Sequence, residues 1–263
     1  MSERLNLTER PSDRQVLEAL LTVPGNVGNT YSRFWKYSQR NLGLLALQGC
    51  PPEPVATYTR WTELGRQVQK GEKAYSILRP ISIRVGDAEN EDERKYVQRF
   101  KLVKTLFSLS QTQGEELPEL ETREWSAERA LASLAIKQVA FELYDGNVGG
   151  YASGREIAIN PLAPFPRKTL LHEISHVMHE HTTDERMAEY QSHRGLMEFE
   201  AEATAHLALN SIGELTEEAA TVSRGYIQGW LQGNRPPATS FSNVLNKSSR
   251  IVTAGYDLEV RGD

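Results

Sequence analysis

Residues 170–178 read Leu-Leu-His-Glu-Ile-Ser-His-Val-Met. Leu170, Leu171, Ile174, Val177 and Met178 recur at helical spacing and form one apolar face. His172 and His176 fall on the other side. Four residues advance an α-helix by about 40° beyond one full revolution, so both imidazoles point the same way. Glu173 stands beside them. This H-E-x-x-H arrangement lets two histidines share a zinc ion while the glutamate handles the proton of a bound water. A rigid, half-buried helix that lines a cleft is the expected setting.

A catalytic zinc ion takes three protein ligands and keeps one position for water. No third histidine follows at the short spacing that some zinc enzymes use, so the third ligand must come from elsewhere. The helical stretch 196–206, Leu-Met-Glu-Phe-Glu-Ala-Glu-Ala-Thr-Ala-His, is the candidate. Ala201, Ala203 and Ala205 allow a close helix–helix approach. Glu198 and Glu202 are four apart and face one way. Glu198 is expected on the metal, with Glu202 accepting a hydrogen bond from the free ring nitrogen of a histidine ligand. Glu200 lies about 200° around the helix and points elsewhere, so its loss is expected to matter little. His179 is expected near the site or at the surface. His181 and His193 fall in polar connecting sequence, and His206 reads as partly buried or exposed. Tyr151, Tyr190 and His193 are candidate donors to a developing oxyanion. The strand 155–160 is a candidate to pair with an extended peptide.

The whole chain has 263 residues, 39% of them hydrophobic and 25% charged, which is a globular composition. No apolar run is long enough to span a bilayer, and the polar start shows no secretory signal. Cys50 is the only cysteine, so an internal disulfide or a cysteine-rich metal site is excluded. A cytoplasmic location is expected. The net charge of −5 is unevenly spread. Residues 28–80 hold eight bases against three acids, whereas residues 172–218 hold two bases against eleven acids. In the basic stretch Arg33, Lys36 and Arg40 follow one helical stripe among Tyr31, Phe34, Trp35 and Tyr37. Arg60, Trp61, Arg66, Lys70 and Lys73 continue the mixture. Cations that track phosphates, interleaved with aromatics on which bases stack, suit single-stranded DNA.

Apolar spacing predicts helices over 12–23, 30–48, 59–69, 125–144, 168–180, 196–210 and 217–231. Strands are expected over 74–85, 95–110 and 151–160. Residues 86–94 form an acidic loop, five of the nine being Asp or Glu. The tail beyond residue 234 reads as loosely packed, with a last strand at 251–256. The expected fold class is α+β, with residues 1–114 as a small DNA-binding domain, 115–124 as linker and 125–263 as a zincin-like domain.

Residues 59–74, Thr-Arg-Trp-Thr-Glu-Leu-Gly-Arg-Gln-Val-Gln-Lys-Gly-Glu-Lys-Ala, follow an aromatic helix and precede Phe107-Ser-Leu-Ser-Gln-Thr-Gln-Gly114. Together they resemble the N-terminal domain of ArdC-type antirestriction proteins. The histidine helix with Glu198–Glu202 is similar to the second domain of that family and to ImmA/IrrE-type metallopeptidases. The resemblance spans about residues 10–210. It implies a single-stranded DNA-binding domain joined to a zinc metallopeptidase domain, with a peptide or protein substrate. Family members carry a glycine soon after the second histidine, where this chain has Val-Met-His-Glu-His. A rival reading is a DNA-protecting protein without enzymatic activity, whose zinc site is structural or vestigial. The intact Glu173 favours the enzyme.

Overall fold

The computed structural model describes residues 7, 9–22, 30–31, 37–85, 95–117, 124–142, 148–233 and 236–257. The first segment opens with helices α1 (Asp13–Thr22) and α2 (Gln39–Leu47). Ser38 caps α2 by accepting from the Asn41 backbone N–H. Strand β1 (Val55–Thr57) leads into α3 (Tyr58–Glu63) and β2 (Arg66–Val68). Strands β3 (Tyr75–Val85) and β4 (Lys95–Ser108) form a long antiparallel hairpin, in register from Ser76↔Lys104 to Val85↔Lys95. β4 also pairs with β1, giving a sheet of order β1-β4-β3. A 3-10 turn at Leu109–Gln111 precedes β5 (Thr112–Gly114), which pairs antiparallel with β2.

The second segment holds α4 (Ala127–Ser133), β6 (Lys137–Val139), β7 (Gly150–Ser153) and β8 (Glu156–Ile159). Four helices follow: α5 (Pro166–Met178), α6 (Asp184–Ile212), α7 (Glu217–Gly233) and α8 (Ala238–Ala254). The sheet order is β6-β8-β7, with β6 parallel to β8 and β7 antiparallel. The single helix expected over 125–144 is therefore corrected. It ends at Leu134, the chain turns through Ala135 at φ 53°, and Lys137–Val139 pairs with β8 instead. The expected helix over 59–69 likewise stops at Glu63, because Arg66–Val68 finds a strand partner in β5.

The larger correction concerns the tail. Residues 238–254 are a helix, not a loose segment ending in a strand. α8 buries Phe241, Val244, Leu245 and Ile251. Phe241, Val244 and Leu245 join Phe199, Ala203 and Leu207 of α6 in one core with Val16, Leu17 and Leu20 of α1 and Leu42, Leu44 and Leu45 of α2. The opposite side of α6 and the C-terminal end of α8 pack Ala205, Leu209 and Ile251 into a second core with Leu131, Ile157, Leu171 and Ile174. α6 is thus buried on more than one face, which explains why its apolar residues do not follow a single stripe. Charged and polar bonds tie the segments as well. The Arg40 guanidinium donates to both oxygens of Asp13 at 2.8 Å, and Ser242 Oγ of α8 donates to the same carboxylate at 2.5 Å.

Candidate metal centre

α5 begins with Pro166 at its first turn, where a missing N–H costs nothing. Its apolar face, Leu170, Leu171, Ile174 and Val177, is buried in the second core. His172 and His176 face α6. Their Nε2 atoms are 3.1 Å apart. Glu198 Oε2 lies 3.3 Å from His172 Nε2, and Glu198 Oε1 lies 3.7 Å from His176 Nε2. These three side chains can hold a metal ion. Donors about 2.0–2.2 Å from a common tetrahedral centre stand roughly 3.3–3.6 Å from one another, so the spacing fits such an ion.

The remaining ring nitrogens are engaged. His172 Nδ1 lies 3.1 Å from Glu202 Oε2. The other Glu202 oxygen takes Lys168 Nζ at 2.8 Å and accepts from Ser223 Oγ of α7. His176 Nδ1 lies 3.1 Å from His181 Nδ1. His181 Nε2 in turn lies 3.0 Å from Glu200 Oε2. Each histidine therefore has only Nε2 left to turn toward Glu198. Glu173 is buried beside both rings.

The electrostatics follow from this packing. Burial pushes the His172 imidazole down, but its bonds to Glu198 and Glu202 outweigh burial and raise its pKa to about 9. Burial raises Glu202, but the His172 bond and the Lys168 charge prevail and hold it at about 2. Burial raises Glu173, with the Glu198 charge adding to the effect and the two histidines opposing it. Burial lowers His179 to about 3, and it also lowers His181.

Glu202 and His172 meet, as their spacing allows, whereas the histidines beyond α5 were not singled out by the sequence. His181 is a buried partner of His176, not a residue of polar connecting sequence. Glu200 is also buried, against His181, with His179 Nδ1 at 3.8 Å, so the expectation that it matters little is revised. The signal that could have found them is the cluster His176–His179–His181 itself, opposite a helix with three glutamates. Burial raises the Tyr226 phenol of α7, with the Glu198 and Glu202 charges adding to the effect. Tyr151 packs against Phe141. The side chains of Tyr190 and His193 lie outside the described residues.

Of the candidate DNA-binding residues, Arg33 and Lys36 lie outside the described residues. Trp61 is corrected: it is wholly buried and donates Nε1–H to the Phe107 carbonyl at 2.9 Å, so it offers no face to a base. Arg40 is paired with Asp13. Arg66 pins β5, donating to Thr112 Oγ1 at 2.9 Å and to the Glu115 carbonyl. Arg60 pairs with Glu63 at the surface, at 2.9 Å. Lys70 and Lys73 are exposed.

These features define an α+β protein with a candidate divalent-metal centre built from two helices and supported by a third. Residues 16–116 match the family described as the N-terminal domain of anti-restriction factor ArdC. The metal-free crystal structure of antirestriction ArdC protein from R388 plasmid superposes with a TM-score of 0.52 at 19% identity. It covers 92% of this chain and 93% of that one. The Mn(II)-bound structure of the same protein gives 0.51 at 17% identity, covering 94% and 98%. A comparison with curated protein sequences gives no match. Residues 16–116 thus match the ArdC N-terminal domain, and the chain shares the ArdC fold over nearly its full length. No helix among the described residues is long and apolar enough to cross a membrane.

Proposed function

We propose that this antirestriction-type protein is a zinc-dependent peptidase that also engages single-stranded DNA in the cytoplasm. The observation that carries the peptidase reading is the convergence of His172 Nε2, His176 Nε2 and the Glu198 carboxylate next to a buried Glu173. Two imidazoles and one carboxylate are a donor set that suits zinc. The bound ion would supply Lewis-acid polarisation of a carbonyl oxygen and lower the pKa of water. The Glu173 carboxylate would accept a proton from the attacking water and return it to the departing amine nitrogen. Burial raises this carboxyl above its ordinary value, which makes the carboxylate a better proton acceptor. Glu202 orients His172.

The strand that holds the peptide is β7, not the 155–160 stretch expected from sequence. β8 is paired on both sides, by β6 and by β7, and has no free edge. Among the described residues β7 is an edge strand, and it packs on α5. A Cβ on Gly150 would lie 3.2 Å from Glu173 Cγ. An extended peptide added to β7 would run past the catalytic carboxylate.

The test is metal uptake together with hydrolysis of a mixed library of unstructured peptides, with and without single-stranded DNA. His172→Ala and His176→Ala abolish the stoichiometric metal. Glu198→Ala weakens it strongly, and Glu173→Gln keeps the metal and loses hydrolysis. Cleavage at the wild-type rate in Glu173→Gln overturns the assignment of the base. Its absence from the wild type on every peptide supports the non-enzymatic reading.

The DNA reading moves from the buried aromatics to the β3–β4 hairpin. Residues 75–85 and 95–108 contain six bases and no acid. Arg79, Arg99 and Lys101 are exposed, as is Phe100 beside them. Full-length protein is expected to bind single-stranded DNA with an affinity that falls as salt rises, by about 0.7 log units per log unit of salt for each phosphate neutralised. Phe100→Ala removes one stacking surface, worth about 1–3 kcal/mol. Fluorescence anisotropy with a labelled oligonucleotide measures both. Salt-independent binding, or an unchanged Phe100→Ala variant, counts against the hairpin.

A further inference from the structure

The described residues contain a second group with ligand geometry. His179, His181 and Glu200 place their donor atoms within 4.8 Å of one another, as His172, His176 and Glu198 do. We infer that this second triad is not a second metal site but the support of the first, with His181, backed by Glu200, acting as the positioning residue for His176. The inference rests on the reading of His172, His176 and Glu198 as metal ligands.

The proton count decides it. A neutral histidine carries one proton on one ring nitrogen. If His176 uses the Nε2 lone pair as a ligand, its proton is on Nδ1. The partner of that nitrogen among the described residues is His181 Nδ1 at 3.1 Å, which must then accept. His181 therefore carries its own proton on Nε2 and donates it to Glu200 Oε2 at 3.0 Å. Every polar atom in the chain from His176 through His181 to Glu200 is satisfied in one pattern. His181 Nε2 has no lone pair left for a second ion. Filling both triads would require His181 or His176 to lose its one ring proton and become an imidazolate. The two triads exclude each other, and Glu200 chooses the first by holding the His181 proton away from His176.

The backbone makes the same choice. The end of α5 closes with two bonds, His181 N–H to the His176 carbonyl at 3.0 Å and Glu180 N–H to the Val177 carbonyl at 3.1 Å. This is the Schellman pattern, which needs a left-handed residue at the turn. Glu180 takes it, at φ 62°. The turn folds His181 back beneath His176, so the same residue bonds it through backbone and side chain. On the other side of the pair, His179 is held away from Glu200 by Thr204, whose Oγ1 lies 2.9 Å from His179 Nε2.

The test uses full-length protein and Mn(II) alone, followed by loss of the free Mn(II) paramagnetic resonance signal and by calorimetry. Wild type takes up one ion per chain. His181→Leu weakens Mn(II) by about 10–100-fold. His181→Asn, although smaller, places an amide oxygen where Nδ1 was and stays within about threefold of wild type. A role in packing alone would leave His181→Asn at least as impaired as the bulkier His181→Leu. Thermal unfolding of both variants shows that they are folded. Co(II) substitution adds a second readout, since an altered His176 orientation shifts the visible absorption in His181→Leu and not in His181→Asn. Equal affinities for His181→Leu and wild type overturn the inference. So do two ions per chain in the wild type, one of them lost in His179→Leu. A wild type that binds no Mn(II) overturns the metal reading and this inference with it.

Discussion

His206 shows what a single buried group does to this protein. It sits in α6 at 1% exposure, and its Nδ1 has no hydrogen-bond partner. Burial, helped by the Arg224 charge, lowers its pKa to about 4. The unfolded chain, with an ordinary value near 6.5, binds this proton more readily. The group has no effect above about pH 6.5, and stability falls as pH drops from there toward 4. The expected loss from His206 is on the order of 2–3 kcal/mol by pH 4, with His179 acting in the same direction. His206→Leu flattens this acid limb and removes the unpartnered nitrogen. Urea midpoints between pH 4 and 8 check it. An acid limb of unchanged slope in the variant shows that His206 is not its source.

At the level of elements, the end of α5 matters most. The helix ends through a left-handed residue, and that position falls to Glu180 rather than to a glycine. A non-glycine residue in that conformation costs roughly 1–2 kcal/mol, partly offset by the smaller entropy it loses on folding. Glu180→Gly should therefore raise stability by about 0.5–1 kcal/mol and leave metal affinity unchanged, because the two closing bonds are backbone bonds. A lower urea midpoint in the variant would show that the Glu180 side chain contributes something the turn itself does not. The element-level lesson from sequence is similar. The periodicity of α5 was legible because one face is buried and the other carries the histidines. α6 was read too short, since it is buried on more than one face and its apolar residues follow no single stripe, whereas α8 was missed although Phe241, Val244, Leu245, Ser248 and Ile251 recur at helical spacing, because the Pro, Ser and Asn residues around them read as a loose tail.

For the whole molecule, the shared core has a direct consequence. α1 and α2 of the first segment pack on α6 and α8 of the second, through Phe241, Val244 and Leu245. The two segments should unfold together. Phe241→Ala is expected to cost about 3–5 kcal/mol and to lower one common transition. Trp61 reports on the first segment and Trp230 on the second, in variants with the other tryptophans replaced by Phe. Two separated transitions would show that the segments are independently stable. A chain cut at residue 124 would leave Val16, Leu17, Leu20 and Leu42 without their cover, so DNA binding is properly measured on the full chain.

Sequence alone determined what local spacing can carry. The i, i+4 pairs His172–His176 and Glu198–Glu202 are set by helix geometry, and no tertiary information is needed to see that each pair shares a side. The α+β class and the basic first segment are legible for the same reason. Which groups meet across the fold was decided only by tertiary structure. His181 reaches His176 because a left-handed Glu180 reverses the chain. Trp61 and Arg40 are withdrawn from solvent by β4 and Asp13. Helix α8 closes a core whose other walls lie some two hundred residues earlier. Such contacts depend on where distant elements pack, and periodicity carries no record of that.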